Sequence, residues 1–241
     1  PSMGTDGPGA RLMQAPGHEI TPLYPALVQL RCSHPALKGL KGIRTQAELT
    51  LMIDDQAVLR EAGELLLTDY GVSGVCVFQL SREAAPALAQ GRSVRLAVNF
   101  LPEIPSLLPW LDARIRQLAP ASLLALTTGV LPRLLAQTVI RKARLSPDMP
   151  AEALSESEKQ ALCGALSAFP LVVTGTQGFA NAQVTRGGVS LADVDPSTMA
   201  SRLFDGLHII GELLDVDGPC GGYNLHFAFA GALAAAKAIA G

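Results

Sequence analysis

The chain has 241 residues, 49% of them hydrophobic and only 17% charged. That balance excludes intrinsic disorder and supplies a buried core for one large domain or two small ones. Lys plus Arg number 19 and Asp plus Glu 21, a formal net charge of −2, so the chain has no electrostatic footprint for nucleic acid or an anionic membrane.

Taken in chain order, residues 1–25 are rich in Gly and Pro, with Gly4, Gly7 and Gly9 suited to turns and a short helix expected near Ala10–Gln14. Short strands follow. Leu27–Cys32 is the first. In Glu48–Ile53, Leu49, Leu51 and Ile53 share one face, the period-2 signature of a half-buried strand. Asp54-Asp55 makes a turn, and Leu65–Leu67 and Val75–Leu80 read as strands flanking the turn Asp69–Gly74. Val94, Leu96, Val98 and Phe100 repeat the alternation. Several short strands with turn signals indicate a small antiparallel barrel or sandwich. From Pro105 the period becomes helical: Leu107, Leu108, Leu111, Ile115 and Leu118 lie on one face. Gly129 suits a helix stop, and Pro132 the first turn of the next helix. Ser155-Glu156-Ser157-Glu158 is a capping-box pattern for a helix running to about Leu166. Arg133, Arg141, Lys142 and Arg144 read as a solvated helix face rather than an anion site. Leu171–Thr174, Ala182–Thr185 and Leu207–Ile210 read as further strands, and Tyr223–Ala240 as an Ala-rich helix.

The mean hydropathy of +0.30 is high for a soluble protein, yet no segment reads as a membrane span. Gln117–Leu131 contains Pro120 and Gly129, and Leu225–Ala236 is too short. High apolar content without a span points to a deeply buried core or to a face that expects a partner. Cys32, Cys76, Cys163 and Cys220 are scattered, with neither CxxC nor His spacing for a metal. Reduced thiols in a cytoplasmic protein are expected. The chain opens at Pro1 rather than Met, which suggests sequence upstream.

The segment richest in chemistry is Gly206–Gly241. Gly211 allows close backbone approach, and Glu212 beside it could accept from a sugar-like hydroxyl. Gly221-Gly222 brings backbone amides near a ligand, and the unpaired amides of Tyr223, Asn224 and Leu225 would carry the positive end of a helix dipole, which favours a negative group. From spacing alone, an ordinary strand–loop–helix unit with a Gly-rich turn is equally compatible. His18 and His34 read as surface histidines, and His208 as a packed or edge residue. His226 could line a pocket and Cys220 could be a redox thiol, or both could be inert. Asp215 and Asp217 fit a solvated turn or a carboxylate pair; Arg186 fits a surface ion pair or a contact to an anionic ligand.

The stretch GELLDVDGPCGGYNLHFAFAGALAA, beginning at Gly211, resembles the C-terminal flavin motif of the BaiN/YhiN-type bacterial flavoproteins, also called the aminoacetone oxidase family of FAD-binding enzymes. Ala182–Val189 (AQVTRGGV), Gly63–Gly74 (GELLLTDYGVSG) and the opening PSMGTDGPG resemble further motifs of that family, in family order. The sequence departs from the pattern at Asp69, where the family usually has His, at Val75 in place of Pro, and at His226 in place of a frequent Gln.

The resemblance implies an α+β chain. Residues 1–25 would trail from an FAD domain. Residues 26–168 would be an inserted domain, with strands over 26–100 and helices over 105–166. Residues 169–241 would be the C-terminal part of a two-dinucleotide-binding-type, Rossmann-like α/β FAD domain. It implies an FAD-dependent oxidoreductase transferring hydride through flavin N5, with NAD(P)H or a small organic substrate as partner. By the same resemblance Gly211 and Glu212 would lie beside the ribityl and pyrophosphate, and Gly221, Gly222, Tyr223, Asn224 and Leu225 near the pyrimidine edge of the isoalloxazine. Gly187 and Gly188 would lie along the flavin ring. No catalytic acid or base is identified. The family's N-terminal GxGxxG segment, which holds the ADP half of FAD, is not among these residues, so it is expected upstream or on another chain. The alternative is a non-catalytic interaction fragment.

Overall fold

The computed structural model describes residues 7–33, 37 and 39–241; Gly4 and His34 lie outside them. In chain order the elements begin with α1 (Pro8–Gln14), β1 (Tyr24–Ala26), β2 (Leu30–Ser33), β3 (Arg44–Ile53), β4 (Gln56–Leu67) and β5 (Gly71–Ser73). Then come α2 (Val75–Ala89), β6 (Val94–Asn99), α3 (Leu107–Leu118), α4 (Leu123–Leu126), α5 (Arg133–Lys142) and α6 (Glu156–Ser167). The chain finishes with β7 (Phe169–Thr176), β8 (Val184–Arg186) and α7 (Tyr223–Ala240). It divides into two compact units, one of Leu30–Leu80 with Ala87–Gly175, the other of Pro1–Gln29, Ser81–Pro86 and Thr176–Gly241.

The first unit is built on a closed six-stranded barrel in the order β2-β5-β4-β3-β6-β7. The alternation in the sequence has its expected consequence. Leu49, Leu51 and Ile53 of β3 stand opposite Val98, Leu96 and Val94 of β6, and Leu96 and Val98 stand opposite Leu171 and Phe169 of β7. All of these side chains are buried. The β3–β4 hairpin turns at Asp54 and Asp55, both at positive φ (48° and 65°), the geometry whose twist matches flanking strands. The Asp54 carboxylate accepts from Arg92 Nε at 2.7 Å and Ser93 N at 3.0 Å. Helix α6 starts with the expected capping box: Ser155 Oγ accepts from Glu158 N (3.3 Å), and Glu158 Oε2 accepts from Ser155 N (2.9 Å). Pro132 is the N-cap of α5 rather than its first helical residue. Arg133, Arg141, Lys142 and Arg144 are exposed.

Two expected strands come out differently here. Val75–Leu80 is the start of helix α2. Phe78 N donates to Gly74 O, and the buried Cys76, Val77, Leu80, Ala84 and Ala87 follow helical spacing over a longer window than the Val75/Val77 pair suggests. Leu27–Cys32 is broken by Leu27 at φ 50°, leaving β1 and β2 on either side. Leu171–Thr174 lies within β7, a barrel strand, so the barrel unit extends to Gly175.

The second unit has little regular structure apart from α1, α7 and the antiparallel β1–β8 pair. Val189, Val194, Met199, Ile209, Leu214 and Ala235 form a buried cluster within it. Leu207–Ile210 is not a strand. It pairs through one bridge, Ala200 with His208, flanked by Ile209 N to Met199 O and Ser201 N to Leu207 O, both 2.8 Å. Met199 at φ 57° kinks its partner segment and ends the ladder.

Candidate functional site

The candidate residues fall into two clusters within the second unit. The first is a ribbon of three segments. Thr21 N donates to Gly188 O (2.9 Å), Val189 N to Leu213 O (2.8 Å) and Asp215 N to Val189 O (2.9 Å). Gly188 N donates to Thr21 Oγ1 at 2.9 Å. Gly187 and Gly188 are buried in this ribbon. A Cβ on Gly187 would stand 2.2 Å from Pro22 O, and one on Gly188 2.5 Å from Leu213 O. The chain's own backbone therefore accounts for both glycines. Gly211 opens a 3-10 turn over Gly211–Leu213 rather than ending a strand. Its Cβ would make ordinary contact with Ala228 of α7 at 3.5 Å, so its φ of 65°, not a crowded approach, is what calls for glycine. The Glu212 carboxylate accepts from Thr185 N.

The second cluster is the turn into α7. Gly222 is the N-cap, in the left-handed region at φ 88° and ψ −2°, and no side chain caps the helix. His226 N donates to Gly222 O at 2.9 Å. The amides of Tyr223, Asn224 and Leu225, one turn earlier, have no carbonyl within the helix. Among the described residues, a Cβ on Gly222 would meet nothing within 4 Å. The Asn224 side chain is already committed: Gly218 N donates to its Oδ1 (2.7 Å) and its Nδ2 donates to Gly218 O (3.0 Å). His226 is exposed on the first turn.

Two positions read from sequence as solvated have defined partners. His18 is buried at 4% exposure, with Nδ1 3.0 Å from Met13 O and Nε2 2.8 Å from Ser201 Oγ. Because the Met13 carbonyl can only accept, Nδ1 carries a hydrogen. Asp217 accepts through Oδ2 from Arg82 Nε at 2.6 Å, while Arg82 Nη2 donates to Asp217 O at 2.7 Å. Arg186 Nη1 donates to Glu83 Oε1 and to Arg82 O, each at 2.7 Å. Arg82 and Glu83 carry no sequence motif, and their partners lie more than 100 residues away, so sequence offered no signal for them. Desolvation in the barrel unit pushes the Cys32 thiol up to about 12 and raises that of Cys76, which makes both poor nucleophiles.

Among the described residues no group of three or more His, Cys, Asp or Glu could hold a metal ion, and no helix is long and apolar enough to cross a membrane.

The model of the HI0933-like protein barrel and H2TH domain matches residues 24–184. A 3-dehydro-bile acid delta(4,6)-reductase from Clostridium scindens is 37% identical over 242 aligned positions, covering 99% of this chain and 59% of that protein. Ribosomal RNA dihydrouridine synthases from Escherichia coli and Haemophilus influenzae are 31% and 27% identical, covering 98% and 99% of the chain and 57% of each relative. The chain thus spans under two thirds of the length of these curated relatives.

Proposed function

The chain belongs to the HI0933-like family, and from that premise we propose that it is part of an FAD-dependent oxidoreductase that reduces a conjugated carbon–carbon double bond. The observation that carries the reading is the start of α7: three main-chain amides with no helical acceptor and a glycine N-cap, where a Cβ would meet no described residue within 4 Å. The names of the relatives support the reaction class. A delta(4,6)-reductase and a dihydrouridine synthase both describe adding two hydrogens across a double bond.

Bound FAD would supply the hydride, with NAD(P)H as its electron source. The amides of Tyr223, Asn224 and Leu225 would donate to the electron-rich edge of the ring, and the helix dipole behind them would favour added negative charge there. Glu212 would orient the Thr185 main chain through its existing bond and offer its other oxygen to a ribityl hydroxyl. Gly187 and Gly188 hold the ribbon that sets where Glu212 stands.

A second reading concerns completeness. Leu225, Phe229 and Leu233 form one exposed apolar stripe along α7. This stripe would pack against the nucleotide-binding segment that the family resemblance implies, on the same or another chain. Without that segment the chain would be a non-catalytic fragment.

The test is an FAD titration of the complete protein followed by visible absorption. A bound-flavin spectrum is expected, with affinity falling about tenfold or more in Glu212→Ala. A complete protein that stays colourless with FAD, or a Glu212→Ala variant with unchanged affinity, would count against the assignment.

A further inference from the structure

The turn that presents the α7 amides, Asp217–Gly222, contains Gly218, Gly221 and Gly222, of which Gly221 and Gly222 lie at positive φ. Such a sequence does not specify a single conformation by itself, because glycine gains freedom in the unfolded chain and has no side chain to pack. Something outside the turn must select its shape. The Asp217 side chain is only 10% exposed. Its carboxylate and its carbonyl are both held by one guanidinium, at 2.6 and 2.7 Å. Arg82 is itself held from behind, since its carbonyl accepts from Arg186, whose guanidinium also engages Glu83. On the far side of Asp217, the Gly218 peptide is closed against the Asn224 side chain. The start of the turn is therefore gripped by a planar two-point donor on one side and by the first turn of α7 on the other.

We propose that Arg82 is the positioning residue of this turn: by gripping Asp217 at two atoms it fixes the path through Gly221-Gly222 and so aims the first amides of α7. The inference deepens the flavin reading and rests on it for its functional consequence, though not for the grip itself. The chemistry needs arginine. Lysine could meet the buried carboxylate, but its point charge lacks the fork that also reaches the main-chain oxygen.

The experiment uses the complete protein. Amide hydrogen exchange is followed without flavin at Gly218 and His226, the hydrogen-bonded amides at the two ends of the turn, and FAD is then titrated and its absorption spectrum recorded. Arg82→Met is expected to speed exchange at these two amides about tenfold or more, with β3 unchanged, because only local opening is altered. It should also weaken FAD binding by a comparable factor and move the bound spectrum towards that of free flavin. Arg82→Lys should recover part of both. The double variant Arg82→Met with Asp217→Asn removes the stranded carboxylate, so exchange should stay fast in it. Return to the original exchange in that double variant would mean that charge alone mattered and would overturn the proposal. So would unchanged exchange in Arg82→Met, or a rise spread equally over β3. Fast exchange in Arg82→Met in a protein that never binds FAD would leave the grip standing and remove the flavin reading instead.

Discussion

In the barrel unit, Leu49, Leu51, Leu96, Val98 and Leu171 point inward from strands that pair all the way round, and none exceeds 1% exposure. In the unit that carries α7, that helix contributes Ala235 to a buried cluster with Val189, Met199 and Ile209, while Leu225, Phe229 and Leu233 stand 67%, 70% and 63% exposed on one of its faces. Isolated exposed apolar residues need no explanation, but a run of them at helical spacing marks an interaction surface. The barrel satisfies its apolar residues from within its own strands. The other unit leaves that stripe exposed, and the proposed covering segment would pack against it.

The sharpest test of that contrast is to damage the self-sufficient part. Leu51→Ala opens a cavity at a fully buried position on β3, the strand between β4 and β6, and should cost about 2–5 kcal/mol in denaturant unfolding. A loss under about 1 kcal/mol would mean the barrel is less tightly packed than its burial indicates. Replacing both Phe229 and Leu233 by Ser should behave conditionally. In this chain alone each change should shift stability by no more than about 0.5 kcal/mol, since both side chains already face water. In the protein of full relative length, where the stripe would be covered, the pair should cost about 3 kcal/mol or more. Equal small effects in the two would mean that the stripe stays open to water.

The smallest expected effect is at the β3–β4 turn. The Arg92 side chain, followed by the Ser93 amide, holds the Asp54 carboxyl below its ordinary value. A depressed folded-state value means the stabilisation is present above the unfolded value, about 3.9, and is lost as pH falls through the folded one. Urea midpoints should therefore drop more steeply between about pH 4 and pH 3 in the parent than in Asp54→Asn. Parallel profiles would show that the Arg92 pair contributes nothing measurable, as for many exposed ion pairs.

How legible the molecule was in its sequence follows the range of the interactions. Alternation at Leu49–Ile53 and Val94–Val98, the capping box at Ser155 and the helix after Gly222 are all written within a few residues, and all are legible there. Val75–Leu80 misled because two β-branched residues outweighed a helical spacing visible only over the whole of α2. Leu207–Ile210 misled because Met199, a residue with no turn signature, breaks the ladder from the other side. In the candidate site, Gly221, Gly222 and the α7 amides were legible as a local pattern. The grip of Arg82 on Asp217 was not, because it joins positions 135 apart. Gly187 and Gly188 are crowded by the main chain at Pro22 and Leu213, contacts to segments far away or without a motif that no local pattern announces.

The closure of the barrel has one further consequence. An open sheet leaves a row of unpaired main-chain donors and acceptors that another chain can extend by strand addition, the usual seed of fibrous aggregates. A cylinder of six mutually paired strands offers no such row. Association through the helix stripe would be made by side chains, which can be tuned or blocked by single substitutions, whereas templated backbone growth could not be controlled in that way.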